Sequence, residues 1–306
     1  MSAAGPGHLL RGVGLMMLAV FMFSSMDAFA KQLLRGYPIA PLLWARYTLQ
    51  CLFVLAVFGP RMGAAVVRTA HPLLQCARGL LLAGSTVFFY LALKYLPMAE
   101  AAAISFVGPV LVTALSGPLL KERVRPHQWL AVALGFAGVL VIVRPAGAVF
   151  TPAVLLPLAT ALLFSLYQIA TRKVAGRDDP ITSLFYSALV GAAATVFALP
   201  FTWQTPTAVQ ALQIVVIGFL GGFGHFLLIR AVAQASPMAL APFVYVQLVW
   251  STLLAWLVFG ESPDAGSLWG MLVIVGGGML AVDWRVVRAG IRRTRARSDQ
   301  STVPPP

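Results

Sequence analysis

The chain has 306 residues, of which 59% are hydrophobic and only 10% are charged. A soluble domain typically carries about 25% charged residues, so this composition excludes an ordinary soluble enzyme or binding module and indicates an integral membrane protein. The net charge of +13 lies in short loops and a tail rather than on an amphipathic face with interleaved aromatic residues. We therefore expect the lipid bilayer, and no nucleic acid, as a partner.

Ten apolar segments separated by polar or helix-breaking residues predict ten transmembrane helices. The first segment resembles a cleavable signal peptide, because Arg11 and an apolar run precede Ala28-Phe29-Ala30. Asp27 interrupts that region and the segment has a later counterpart, so we interpret it as a retained span. The ten segments are 11–33, 39–58, 73–93, 99–120, 127–143, 152–171, 181–200, 209–230, 238–259 and 266–284.

The sequence contains an internal repeat, since the pattern of residues 92–122 returns in residues 231–261. Both stretches begin with alanine, cross a hinge that holds a proline and a methionine, continue through an apolar run and end on glutamate. The repeat predicts two five-helix copies, residues 1–145 and 150–284, followed by a basic disordered tail at 285–306. Because five is odd, the second copy must cross the membrane upside down. The predicted fold is therefore an all-α membrane protein with two inverted repeats.

The basic residues predict the orientation of the chain. Most of the 22 lysines and arginines fall in loops and a tail on one side of the predicted spans, and only Lys31, Arg35, Lys94 and Arg144 fall on the other. Lysine and arginine prefer the cytoplasmic side, so we expect both termini in the cytoplasm and the chain in the bacterial inner membrane. Cys51 and Cys76 lie in or next to apolar segments, which predicts buried free thiols.

Several motifs resemble the EamA-type transporters of the drug/metabolite transporter superfamily. These are Phe23-Ser24-Ser25, Trp44-Ala45-Arg46-Tyr47, and the stretch from Ala92 through Pro109 to Glu122 with its second copy. The segments that begin at Arg78, Ala103, Leu184 and Ala241 are most similar to the branch with S-adenosylmethionine uptake proteins, riboflavin importers and exporters of opine-type metallophores. The resemblance implies a carrier in a branch with both transport directions. Leu248 matches Pro109, which implies a helix break in the first copy only.

Ionisable side chains inside spans mark a transport pathway by default, and here they are Asp27, Arg46, Arg78 and His225. A guanidinium offers a planar fork of donors to a carboxylate, so Arg46 with Arg78 favours a substrate that carries one. Asp27 and His225 are candidates for proton coupling. The alternatives are that Asp27 is only the counter-charge of Arg46 and that Arg78 extends toward the interface.

Other residues complete the predicted site. Aromatic residues within spans either pack or stack on a substrate ring. Glu122 and Glu261 are expected to fix loops at the interface, whereas the role of Glu100 is open. The predicted substrate-binding residues are Asp27, Arg46, Arg78, Phe106, Tyr186, His225, Tyr245 and Gln247. The predicted hinges, which glycine packing would explain equally well, are Gly108, Pro109, Gly221, Gly222 and Gly224.

These features predict a secondary-active carrier that exports an amino-acid-like or amino-acid-derived carboxylate, and an importer of riboflavin or S-adenosylmethionine is the alternative. The sequence has no G-K-[ST] phosphate loop, so the energy must come from a gradient. An intramembrane enzyme that uses Asp27 and His225 and a non-transporting scaffold are weaker interpretations. We expect a small-molecule substrate, no cofactor, no metal site, and a monomer or homodimer.

Overall fold

A computed structural model of the chain describes residues 6–120, 126–144, 150–174, 176–235 and 237–281. Glu122 and the tail at 285–306 lie outside the described residues. The helices, in chain order, are α1 (Pro6–Leu33), α2 (Ile39–Met62), α3 (Pro72–Tyr95), α4 (Met98–Ser105), α5 (Gly108–Leu120), α6 (Pro126–Val143), α7 (Leu155–Val174), α8 (Pro180–Val196), α9 (Leu199–Thr202), α10 (Ala208–Gln234), α11 (Pro237–Val244), α12 (Val246–Phe259) and α13 (Ala265–Ala281).

The helices agree in position with the predicted spans. Within the described ranges, eight segments are long and apolar enough to cross a membrane, and Pro180–Val196 and Ala265–Leu280 are shorter apolar helices. Proline starts several helices because its missing N–H costs nothing at the first helical position. Thr207 and Gln210 form a capping box that begins α10. The chain is thus an all-helical membrane protein, and the crossing of the bilayer by all ten segments remains a prediction.

Corresponding helices of the two copies run antiparallel, as α6 and α13 show. A Cβ atom on Gly277 would lie 3.0 Å from the carbonyl oxygen of Ala131, and one on Gly138 would lie 2.8 Å from that of Gly270. Residue numbers therefore rise along α6 as they fall along α13. Small residues allow this close approach. Since α6 and α13 occupy the same position in the two copies, the copies are inverted, as the repeat predicted.

The remaining helices pack across the two copies in matched pairs. Helix α1 packs on α10, and its counterpart α7 packs on α3, the counterpart of α10. Helix α2 packs on its own counterpart, α8. Helices α12 and α5, which correspond to each other, pack on α1 and α7 respectively. This exchange of equivalent contacts gives the bundle a pseudo-two-fold axis.

The bundle has two ends, which we name after a residue at each. At the Tyr37 end, the Tyr37 hydroxyl donates to the carbonyl of Gln204 at 3.0 Å, and Arg144 pairs with Asp264 at 2.9 Å. At the Asp178 end, the Asp178 carboxylate accepts hydrogen bonds from the backbone N–H of Ala70 and the side chain of Gln75. The predicted orientation would place the Asp178 end in the cytoplasm.

The expectation of a helix break in the first copy only was wrong. Helices α4 and α5 are separated at Phe106 and Val107, and α11 and α12 are separated at Tyr245, which is the repeat counterpart of Phe106. Pro109 lacks the N–H that would continue the first helix. In the second copy the proline is Pro242, inside α11, and the Tyr245 N–H donates to its carbonyl at 3.3 Å. The match of Leu248 to Pro109 therefore missed a break that lies three residues earlier.

The structure also differs from two further expectations. Helix α10 runs unbroken through Gly221, Gly222 and Gly224, so these glycines do not interrupt a span. They instead allow close packing, since a Cβ on Gly222 would lie 3.1 Å from the Phe53 ring. The thiol of Cys76 is free but exposed on the bundle surface rather than buried.

Candidate functional site

Arg46 lies on α2 and points into the bundle, where it is 6% exposed. Its guanidinium carbon is 5.1 Å from the centre of the Tyr47 ring and 5.7 Å from that of Tyr90 on α3. Rings at these distances stabilise a cation through their electron-rich faces. A Cβ on Gly221 of α10 would lie only 3.6 Å from the Arg46 Nε atom, so the absence of a side chain there makes room for the guanidinium.

The polar atoms around Arg46 are unusually poor in partners. Among the described residues, Arg46 Nε and Nη1, the Tyr90 hydroxyl and Gln50 Oε1 are buried without a hydrogen-bond partner. A buried donor without a partner costs about 1–3 kcal/mol, and more when it is charged. Native proteins usually satisfy such atoms, so a cluster of them indicates a place where a ligand completes the network.

Asp27 of α1 is 6% exposed and close enough to Arg46 and Tyr90 to interact with both electrostatically. No Asp27–Arg46 ion pair within 4.0 Å occurs among the residues that the structure describes. The interpretation of Asp27 as the direct counter-charge of Arg46 is therefore not what the structure shows. Both side chains keep their charged atoms available.

His225 follows Gly221 by one turn of α10, and its Nδ1 atom lies 2.8 Å from the Gly221 carbonyl oxygen. A carbonyl only accepts hydrogen bonds, so Nδ1 carries the hydrogen and Nε2 presents its lone pair. The ring packs edge-on against Phe23 of α1 at 4.9 Å. His225 also interacts electrostatically with Arg46. The structure thus brings together Asp27, Arg46 and His225, which the sequence had selected separately.

Arg78 of α3 has a different environment, because it is bound to α8. Its Nη2 atom donates to the carbonyl of Ser183 and, at 2.6 Å, to the hydroxyl of Ser187. The guanidinium lies 5.1 Å from the Tyr167 ring. The side chain is 2% exposed and turned toward α8, so it does not extend to the interface. Arg78 therefore links two helices near the Asp178 end.

Phe106 and Tyr245 meet where the two broken spans cross. Their ring centres are 5.6 Å apart, and each residue occupies the break in its own copy. Eight helical residues, about 12 Å, separate Phe106 from the Tyr37 end and Tyr245 from the Asp178 end, which places the pair near mid-depth. The Tyr245 hydroxyl is buried and has no partner among the described residues. A polar, aromatic and inverted-repeat interior of this kind is typical of a secondary transporter.

Two stretches, residues 10–144 and 151–282, match the EamA-like transporter family. The chain belongs to this family. Because EamA proteins are transporters, the chain moves a small molecule across a membrane and is not an enzyme. The two matched stretches also agree with the two copies seen in the fold.

Curated EamA relatives carry different substrates. The S-adenosylmethionine uptake transporter of Rickettsia bellii is 29% identical and covers 86% of this chain and 90% of its own length. The riboflavin transporter of Rhizobium johnstonii is 28% identical over 96% of both chains. The pseudopaline exporter of Pseudomonas aeruginosa is 28% identical over 87% of this chain and 94% of its own. A solved crystal structure, 24% identical with a TM-score of 0.64 over 91% of this chain and 97% of its own, shows the fold alone.

Two predicted site residues lie apart from the cluster around Arg46. The Tyr186 hydroxyl donates to the Val67 carbonyl at 3.0 Å, at the Asp178 end. Gln247 lies on α12, where its backbone carbonyl accepts a hydrogen bond from Ser24 at 3.2 Å. Conversely, the sequence did not select Tyr90, although a hydroxyl in the middle of an apolar span was a signal that could have found it.

Proposed function

We propose that this EamA transporter carries an amino-acid-derived metabolite whose free carboxylate binds Arg46. The observation that carries the proposal is the pair of buried Arg46 donors, Nε and Nη1, without a partner in the described part of the chain. A carboxylate matches the planar fork of a guanidinium and accepts two parallel hydrogen bonds. The Tyr90 hydroxyl, also unpartnered, is a third donor for the same group.

Asp27 supports a substrate with an amino-acid head group. An ammonium or another cationic group would find the Asp27 carboxylate beside the carboxylate site, since Asp27 interacts with both Arg46 and Tyr90. S-Adenosylmethionine, which the Rickettsia relatives take up by name, is an amino-acid derivative of this kind. Asp27 and His225 also remain the candidates for proton coupling at the substrate.

A cofactor such as riboflavin is the second candidate substrate. The Phe106–Tyr245 ring pair at mid-depth favours it, because a planar heterocycle could stack on these rings. Relatives are named for uptake and for export, and a reversible carrier runs in the direction that its coupled gradients dictate. Export across the bacterial inner membrane, with the Asp178 end and both termini cytoplasmic, remains our prediction.

The test is a binding screen on purified protein followed by transport in proteoliposomes with a proton gradient of either sign. The probes are S-adenosylmethionine, a panel of amino acids, and riboflavin, with each amino-acid compound paired to its carboxamide. We expect binding of at least one carboxylate and a loss of at least about 10-fold for its carboxamide. The sign of the gradient that drives accumulation identifies the direction.

The matched variants are Arg46→Lys in the site and Arg230→Ala, which removes an exposed arginine on α10. Arg46→Lys keeps the charge but loses the fork, so it should weaken carboxylate binding while Arg230→Ala does not. Full transport of riboflavin by folded Arg46→Ala protein, together with no carboxylate ligand for the natural chain, would refute the proposal.

A further inference from the structure

A cluster of charged side chains joins three helices at the Tyr37 end, far from Arg46. Lys31 of α1 pairs with Glu261 at 2.6 Å and donates to the Leu96 carbonyl at 3.1 Å. The Glu261 carboxylate accepts the backbone N–H of Met98, the first residue of α4, at 3.0 Å. We call the contacts of Lys31 and of the Met98 N–H with Glu261 the latch. The latch ties the second copy to α1 and α4 of the first.

The local sequence builds the latch. Gly260 ends α12 in the left-handed conformation, with φ 68°, and the Glu261 N–H donates back to the Ala255 carbonyl at 3.1 Å. This helix-terminating turn directs the Glu261 side chain to the start of α4. The amino end of a helix carries a partial positive charge, which attracts the carboxylate. The Tyr37 end is therefore held closed by a few polar contacts.

Glu100 lies on α4, two residues after Met98, and is 2% exposed. It forms a hydrogen bond with the Ser267 side chain of α13, which is 1% exposed. Its other carboxyl oxygen, Oε2, is buried and has no hydrogen-bond partner among the described residues. Glu100 is thus a carboxyl group inside the bundle that the substrate site does not use.

The charged groups that face Glu100 do not neutralise it. They are Lys31 on α1 and the carboxylates of Glu261 and Asp264. Lys31, which also interacts with Arg35, is engaged by Glu261, and Asp264 is paired with Arg144. An ionised carboxylate at this position would be buried beside two others without its own cation, which is unfavourable.

We propose that Glu100 binds a proton while the Tyr37 end is closed, and that loss of this proton opens the latch. The O–H bond of the neutral acid breaks and the proton passes to water at the Tyr37 end, with no other covalent change. The new carboxylate attracts Lys31, the adjacent ammonium, away from Glu261. Glu261 then loses the contact that holds it beside Met98, and the start of α4 is released from α12.

This assignment places a proton site away from Asp27 and His225 and does not depend on the identity of the substrate. It makes opening of the Tyr37 end respond to pH on that side, which is what coupling to a proton gradient requires. The carboxyl group has the buried position and the free oxygen that proton binding needs, and the latch is the two-state element that the proton controls.

Hydrogen–deuterium exchange of the full chain in lipid nanodiscs, without substrate, tests the proposal. The readout is exchange of the Met98 amide, corrected for the intrinsic rate, between about pH 5.5 and about pH 8.5. We expect protection to fall as the pH rises, by up to about 10-fold per pH unit for a one-proton linkage. In Glu100→Gln, which keeps the shape of the neutral acid, protection should stay high across the range.

Two controls separate Glu100 from its neighbours. Asp264→Asn removes another carboxylate of the cluster and should keep the pH response, whereas Ser267→Ala removes the hydrogen-bond partner of Glu100 and should shift its midpoint. The Ser267→Ala arm also stands if Glu100→Gln does not fold. Protection that is independent of pH in the natural chain, an unchanged response in Glu100→Gln, or an unchanged midpoint in Ser267→Ala would overturn the assignment.

Discussion

Arg46 and Arg78 are the same residue type at similar burial on adjacent helices, yet their surroundings differ. Arg78 donates to Ser183 and Ser187 and so joins α3 to α8. Arg46 has two buried donors without a partner in the described chain. Both lie over tyrosine rings, so aromatic contact alone does not distinguish them.

The comparison teaches that membrane depth identifies a costly side chain but does not tell what compensates for the cost. In Arg78, the protein supplies most of the compensation through α8, which is a structural role. In Arg46, the compensation is incomplete, which is what a binding site looks like before its ligand arrives. The two arginines should therefore separate cleanly in experiments that measure stability and binding side by side.

The largest expected effect is on Arg46→Ala. It should weaken binding of a carboxylate substrate at least about 100-fold, since two charge-assisted hydrogen bonds are lost. It should leave thermal stability nearly unchanged, because the removed donors Nε and Nη1 satisfied no acceptor in the protein. Binding assays and thermal unfolding on one preparation check both parts. A large loss of stability with normal binding would reverse the roles of the two arginines.

Arg78→Met should show the opposite pattern. Removing the guanidinium leaves the Ser183 carbonyl and the Ser187 hydroxyl without their donor, and breaking such a buried network costs about 3 kcal/mol. Substrate affinity of the protein that remains folded should change less than about 3-fold. The measurement is denaturation in detergent together with ligand binding. Normal stability with lost binding would place Arg78 in the substrate site after all.

Tyr90→Phe sharpens the comparison by removing one hydroxyl from the Arg46 cluster. The ring that lies 5.7 Å from the guanidinium stays, and only the unpartnered donor is lost. We expect about 5-fold weaker carboxylate binding, which corresponds to one hydrogen bond of about 1 kcal/mol. Titration with the carboxylate and its carboxamide checks this, because the carboxamide should lose less. Equal losses for both compounds would show that the hydroxyl does not contact the carboxylate.

The sequence predicted the fold and the core of the site because each rested on a strong constraint. The repeat predicted the inverted copies, and the cost of charge in lipid selected Asp27, Arg46 and His225. Tyr90 was missed because a tyrosine in an apolar span has the same pattern whether it packs or binds. The break at Tyr245 was missed because a proline may act a few residues away from its aligned position, and only packing shows where the helix separates.

The glycines of α10 show the same limit. Gly221 and Gly222 predict either a hinge or a close approach, and the two differ only in what lies opposite. The structure places Phe53 against Gly222 and Arg46 against Gly221, so the glycines provide space. Similarly, Arg78 could not be separated from Arg46 before the position of Ser187 on α8 was known.

The smallest expected effect concerns the Asp178 end, where Arg78 lies. Burial opposes ionisation of Asp178, but hydrogen bonds from Thr69, Gln75 and the Ala70 N–H outweigh it and hold the pKa of this carboxyl below its usual range. A lowered folded-state pKa contributes stability above the ordinary pKa of aspartate, and this stability is lost as the pH falls through the folded-state value. Asp178→Asn should thus be slightly less stable than the natural chain at neutral pH, and the difference should shrink in acid. Thermal unfolding at several pH values measures it, and a difference that grows in acid would show that these contacts do not favour the charged form.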